Sequence, residues 1–138
     1  MSFDVYLQCF RKGECAYFKR ETFEAISLPH SKYVDAYRRD PSFLRVDYPD
    51  GSGSDIYCGY DADINHLTFN HGGGTPLFQA MYELAKQTRS VIYWPSEASG
   101  AVLTEEITRK DLPADFPDKD TARVVYSGAD IIDAIESD

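Results

Sequence analysis

No catalytic or metal-binding signature runs through this chain, and several other features are scarce or missing. There are three cysteines, Cys9, Cys15 and Cys58, an odd number with no Cys-x-x-Cys pair. A disulfide framework is therefore not expected, and free thiols fit a reducing compartment. Met1 to Phe10 lacks a basic stretch followed by a long apolar run, so no signal peptide is read there. No apolar run approaches the roughly 20 residues that span a bilayer. These absences set two expectations: a cytoplasmic protein, and no association with a membrane. Internal repeats, linkers and low-complexity tracts are also missing, so residues 1–138 are expected to form a single domain.

Cations are missing from one long stretch. Residues 1–45 hold eight Lys/Arg and six Asp/Glu, whereas 46–85 hold no Lys or Arg and six acids. Those acids are Asp47, Asp50, Asp55, Asp61, Asp63 and Glu83. The tail after Arg123 has four more acids and no basic residue, and the net charge is −9. Such a surface repels phosphate backbones and anionic lipid, so nucleic acid is not an expected partner. A basic protein would be attracted and its encounter accelerated.

The chain does have the material for a core. Apolar residues make up 43% and aromatics 14%, enough at this length to fold without a metal or disulfides. Period-two alternation predicts a strand over 3–10, with Phe3, Val5, Leu7 and Cys9 on one face. Arg20 to Ser27 has a helical pattern, and Ser31 is expected to cap a further turn or two up to Arg39. Leu44, Val46 and Tyr48 alternate with polar residues, as do Ile56, Cys58 and Tyr60. A third run covers Ile64 to Asn70, so an antiparallel meander is expected. Thr75 as cap and Pro76 at the first turn predict the longest helix, ending at Lys86 and Arg89. Val91–Trp94, Ala101–Leu103 and Arg123–Tyr126 suggest further strands, and Ser127 caps a last helix through Ile135. The 96–120 stretch shows no clear pattern. The expected fold class is α+β: a mostly antiparallel sheet with helices packed on one face.

His71-Gly72-Gly73-Gly74 before the helix is the most conspicuous motif. As an esterase oxyanion loop it would need a Gly-x-Ser-x-Gly elbow, which does not occur. As an anion site it would use exposed N–H groups at a helix start, but no Gly-Lys-Ser/Thr follows. A plain strand-to-helix corner needs the same glycines. His66, His71 and Cys58 match no standard zinc spacing, and the 47–55 acidic loop lacks the calcium-loop pattern. No catalytic residue, metal or cofactor is assigned. Ten tyrosines remain, several on or beside predicted strands. Those on an outer sheet face would form an aromatic patch rimmed by acids.

The opening Met1 to Phe10 with Gly13-Glu14, the Tyr93-Trp94-Pro95 strand end and the Ser127-Gly128-Ala129-Asp130 turn resemble a group of small bacterial proteins across about the whole chain. That group has no assigned activity, so the resemblance implies no catalytic residues. The leading expectation is a protein-binding module, an immunity-type partner neutralising a basic toxin domain. Its contacts would be Asp47, Asp50, Asp55, Asp61 and Asp63 with Tyr57 and Tyr60. The alternative is a small enzyme or ligand-binding domain built on His66, His71, Gly72, Gly73 and Gly74. A homodimer pairing through a sheet edge is a third.

Overall fold

A computed structural model describes residues 4–70, 72–96 and 100–137. Its central strand is β1 (Val5–Arg11), in which Val5, Leu7 and Cys9 are buried and Tyr6, Gln8 and Arg11 are partly exposed. Phe3 and the rest of 1–3 lie outside the described residues. A Lys12-Gly13 turn, with both φ values positive (53° and 82°), returns the chain into β2 (Glu14–Cys15). Next come β3 (Phe18–Lys19), α1 (Arg20–Ser27), α2 (Val34–Arg39), β4 (Phe43–Asp47), β5 (Gly53–Tyr57), β6 (Asp63–Ile64) and β7 (His66–Asn70). The second half holds α3 (Thr75–Thr88), β8 (Ser90–Tyr93), β9 (Ala101–Leu103), β10 (Arg123–Val124) and α4 (Gly128–Glu136).

The main sheet runs β10-β9-β8-β1-β7-β5-β4, antiparallel throughout except for β10 against β9. The α+β class with a mostly antiparallel sheet therefore holds. The meander is present as β4, β5 and β7. Ile64 leaves the third run, however, and pairs with β3 instead, together with Asp63 from the expected turn. Asn65 causes the break. Its Nδ2 donates to the carbonyls of Cys9 (2.8 Å) and Ala16 (2.7 Å), and its own carbonyl accepts from Cys9 N (2.9 Å). With Asn65 pinned to β1, the preceding residues are turned away from β5.

Helices α1, α3 and α4 pack on one face of the sheet. There Leu7, Leu44, Ile56, Leu67, Ile92 and Val102 meet Phe23, Phe78, Met81 and Ile131. Three expected boundaries move. The N-cap of α3 is Gly74, with Thr75 as the first helical residue. Arg89 is the left-handed C-cap (φ 51°) rather than part of the last turn, and its Nη2 meets Asp111 Oδ2 at 2.7 Å. Ser31 does not cap α2: its Oγ accepts from Tyr33 N (3.0 Å) and donates to the Arg45 carbonyl (2.6 Å), fastening the outer edge of β4.

The opposite face is covered at one end only. Leu112, Phe116 and Ala122 close over Phe10, Val91 and Leu103, forming a second small core from the stretch that had no clear sequence pattern. At the other end, α2 borders β4, where Tyr33, Ala36 and Tyr37 form a groove with Phe43, Arg45 and Asp55, and among the described residues the face over β1, β7 and β5 is left open between them. Also among the described residues, no helix is long and apolar enough to cross a membrane.

Candidate functional site: the open face of the sheet

Strand alternation decides which side chains reach the open face. The registers place Phe43 opposite Tyr57, Tyr57 opposite Thr68, Thr68 opposite Tyr6 and Tyr6 opposite Tyr93. One row thus crosses five strands and carries four aromatic rings. Phe43 and Tyr57 lie 5.2 Å apart, and Tyr6 and Tyr93 5.1 Å. His66 adds a ring 5.4 Å from Tyr6, and Phe116 stands edge-on to Tyr93 at 5.5 Å. One end of the row is tied to polar neighbours beside it. Tyr93 OH donates to Gln8 Oε1 (2.9 Å), and Gln8 Nε2 donates to Asn65 Oδ1 (3.0 Å). These bonds hold the Tyr93 ring in place.

Three grooves border this row: one of about 430 Å³ at the Phe43 end, where Arg45 lies beside Asp55, and two further along it. Of these two, the first, about 370 Å³, is lined by Tyr17, Tyr57, Asp61, Asp63, His66 and Thr68 among others. The second, about 500 Å³, has Tyr6, Phe10, Tyr93, Trp94, Phe116 and Asp118 in its wall. Neither is lined by a lysine or arginine. Burial pushes the His66 imidazole below its usual value, so near neutral pH it adds no charge. Both grooves therefore offer aromatic surface and carboxylates with no cation in their walls, although Lys19 stands across from Asp63 in the β3–β6 pair.

The five acids picked from the sequence do not form one patch. Asp61 and Asp63 line the first groove and are exposed. Asp47 and Asp55 are held by Arg45, at 2.9 and 3.3 Å. The cation-free stretch is thus not cation-free in space: Arg45, one residue outside it, lies directly across from Asp55. Asp50 lies in the β4–β5 turn, where its Oδ1 accepts from Ser52 N and Oγ. Tyr57 is in the first groove and 49% exposed; Tyr60, 72% exposed, lies beyond the groove on the following loop.

The residues of the ligand-loop alternative are spread out. His66 opens β7 and Gly72 follows its far end, roughly 20 Å away at about 3.3 Å per residue. His71 lies outside the described residues. Gly74 has φ 91°, and a Cβ there would overlap the Ser52 side chain and come within 3.3 Å of Asp50 Oδ2. The start of α3 therefore faces a carboxylate of its own chain. Cys58 donates to the Pro41 carbonyl (3.0 Å) next to Arg20, and burial pushes its thiol pKa up. Among the described residues, no group of three His, Cys, Asp or Glu could hold a metal ion.

Tyr6, Gln8, Tyr17, Phe116 and Asp118 were not singled out by sequence. For Tyr6 and Gln8 the signal was present, since they alternate with Val5, Leu7 and Cys9. For the other three it was not, because loops bring them to the sheet. Comparison with family models, curated proteins and solved structures found no match.

Proposed function

We propose that this chain is a protein-binding module that receives a basic partner on the open sheet face, in the manner of an immunity protein blocking a toxin domain. The observation that carries this reading is the pair of aromatic grooves lined by Asp61, Asp63 and Asp118 and by no cation. An enzyme acting on a polyanion has a basic site, and an acidic aromatic face complements it in charge and shape. Tyr17 and Tyr57 are 64% and 49% exposed, which is area a folded core leaves unused and a partner can bury. The overall charge of −9 would steer the encounter. Unpaired Cys9, Cys15 and Cys58 fit work in a reducing cytoplasm.

Asp61 and Asp63 replace the wider acidic set as the anchors, because Asp47 and Asp55 already serve Arg45. Immobilised chain would be exposed to lysate of its own organism and washed at low and then high salt. A basic protein should be retained at low salt and released at high salt. The Asp61→Asn/Asp63→Asn pair should hold it about tenfold more weakly, with a flatter salt dependence. Equal retention by this variant would sink the reading.

A further inference from the structure

On the helix side of the sheet, a groove of about 480 Å³ opens where the β4–β5 turn meets α1 and α3. It shares no residue with the three grooves of the opposite face. Its size is that of a small-molecule site. Ile26, Pro29, Pro49 and Pro76 give it apolar walls. Proline has a fixed φ and no N–H, so these walls are set in shape and offer no backbone donor at those residues.

Tyr48 also lines this groove, and it is packed into the core beyond Leu44 and Val46, with 7% exposure. Its hydroxyl has no hydrogen-bond partner among the described residues. The sealed side-chain polar atoms without a partner there are Arg89 Nε, Thr104 Oγ1 and Thr108 Oγ1. The Tyr48 hydroxyl is not one of them, so it keeps an opening, and the groove supplies it. The His30 ring lies 4.8 Å from the Tyr48 ring and steadies it. Burial, and then the nearby Glu83 carboxylate, push this hydroxyl up to about 12, so it stays protonated near neutral pH. Glu83 stands in the groove wall within electrostatic reach of the hydroxyl, yet no hydrogen bond joins the two. Among the described residues Glu83 is in no ion pair. Lys86, a turn further along α3, reaches the Tyr82 ring instead, at 5.9 Å. No lysine or arginine lines the groove.

A carboxylate and a hydroxyl that lie close but unjoined, beside an apolar hollow, suit a group that donates to both. The uncompensated charge of Glu83 selects a cation over a neutral donor. A primary ammonium has three donors: one for Glu83, one for the Tyr48 oxygen and one for water at the rim. We propose that this groove binds a small primary amine, its ammonium between Glu83 and the Tyr48 oxygen and its apolar body against Ile26 and the three prolines. A lysine stem, a single file of methylenes, would leave most of the space unfilled, so a free ligand with a bulkier body suits it better than a partner's side chain. The site goes beyond the open face and does not depend on the partner read there.

Amide spectra of the isotope-labelled whole chain, titrated with benzylamine, test it. The amides of Ile26, His30, Tyr48, Ala80 and Glu83 should move and approach saturation at about 1 mM amine, while those of Thr68 and Tyr93 on the open face stay put. Benzyl alcohol, the same body without the charge, should bind about tenfold more weakly. Glu83 is exposed, so Glu83→Gln should fold normally and bind the two compounds alike. Tyr48→Phe removes a hydroxyl that bonds nothing among the described residues. It should leave the urea midpoint unchanged and weaken benzylamine about threefold, whereas a purely structural tyrosine would move the midpoint and spare the binding. Unmoved amides at about 10 mM benzylamine, equal affinity for benzyl alcohol, or undiminished binding by either variant would overturn the inference. So would tighter binding of Nα-acetyl-lysinamide than of benzylamine, which would assign the groove to a protein's lysine. None of these outcomes bears on the basic-partner reading, which the retention experiment judges separately.

Discussion

Arg20 is buried to 9% exposure, and among the described residues no carboxylate lies within ion-pair distance of it. Its guanidinium is spent on carbonyls instead: Nε on Asp61 (2.8 Å), Nη1 on Pro41 (2.9 Å), Nη2 on Gly59 (2.6 Å) and Cys58 (3.3 Å). Nη1 also meets Tyr37 OH (3.0 Å), and that hydroxyl donates to Glu24 (2.7 Å), so the compensating charge stands one residue removed. Burial pushes the Tyr37 hydroxyl up to about 12, keeping it protonated as that donor. The loop Arg20 gathers is the one that carries Asp61 to the first groove, which links a buried residue to the proposed site. Sequence could not show this, because an arginine opening a short helix looks like any solvated helix start. Arg20→Lys keeps the charge but has one nitrogen where the fork has three. It leaves the buried Cys58 carbonyl and the half-buried Pro41 carbonyl short of donors and should cost about 2 kcal/mol. Urea unfolding at pH 7 measures this; a loss below about 1 kcal/mol would mean that water replaces the fork.

At the scale of elements, what sequence makes legible is what local rules decide. Ser127 was read as the cap of α4, and its Oγ accepts from Asp130 N at 3.2 Å. The alternation of β1 and β4 predicted their buried faces; in the next run Ile56 and Cys58 are buried as expected, but Tyr60 falls beyond β5 and is 72% exposed. The misplaced elements are those decided by distant partners. Asn65 redirects β6 through bonds to Cys9 and Ala16, and β5 stops at Tyr57 where Arg20 takes the carbonyls of Cys58 and Gly59. The corner before α3 lies between these cases. Its glycines were visible, but not which of them the fold needs. Gly74 needs its lack of a side chain twice over, for φ 91° and for the Ser52 side chain against it, whereas a Cβ on Gly73 would meet open space. Gly74→Ala should therefore cost about 2 kcal/mol or more, and Gly73→Ala less than about 0.5 kcal/mol. Denaturant midpoints for the two variants check this. Equal losses would mean that the loop as a whole, and not one corner residue, bears the constraint.

The open face becomes visible only at the scale of the whole molecule, because no local pattern orders strands. Tyr93 reaches Gln8 across 85 residues of chain, and Gln8 reaches Asn65 across 57. Individual tyrosines could be placed on strands from sequence, yet the row they form depends on β1 lying between β7 and β8. His66 sits where the two grooves adjoin, against Tyr6 and Tyr93, in a groove that also contains Asp61 and Asp63. Burial depresses its pKa, so the folded chain keeps this imidazole neutral at a pH where the unfolded chain has begun to protonate it. The unfolded state then binds more protons, and stability falls as pH drops from about 6.5 toward the lower folded value. Asp50 and Glu106 are also depressed, by hydrogen bonds from Ser52 and Arg109. Their contributions are lost only in the carboxylate range, below about 4.5. The two windows are separate, so His66→Gln should flatten the slope of unfolding free energy between pH 7 and about pH 5 while leaving the steeper acid limb unchanged. Urea titrations at half-unit pH steps on both proteins decide it. If the slope survives in His66→Gln, the proton is taken up elsewhere, and His66 does not supply the neutral surface on which the proposed site depends.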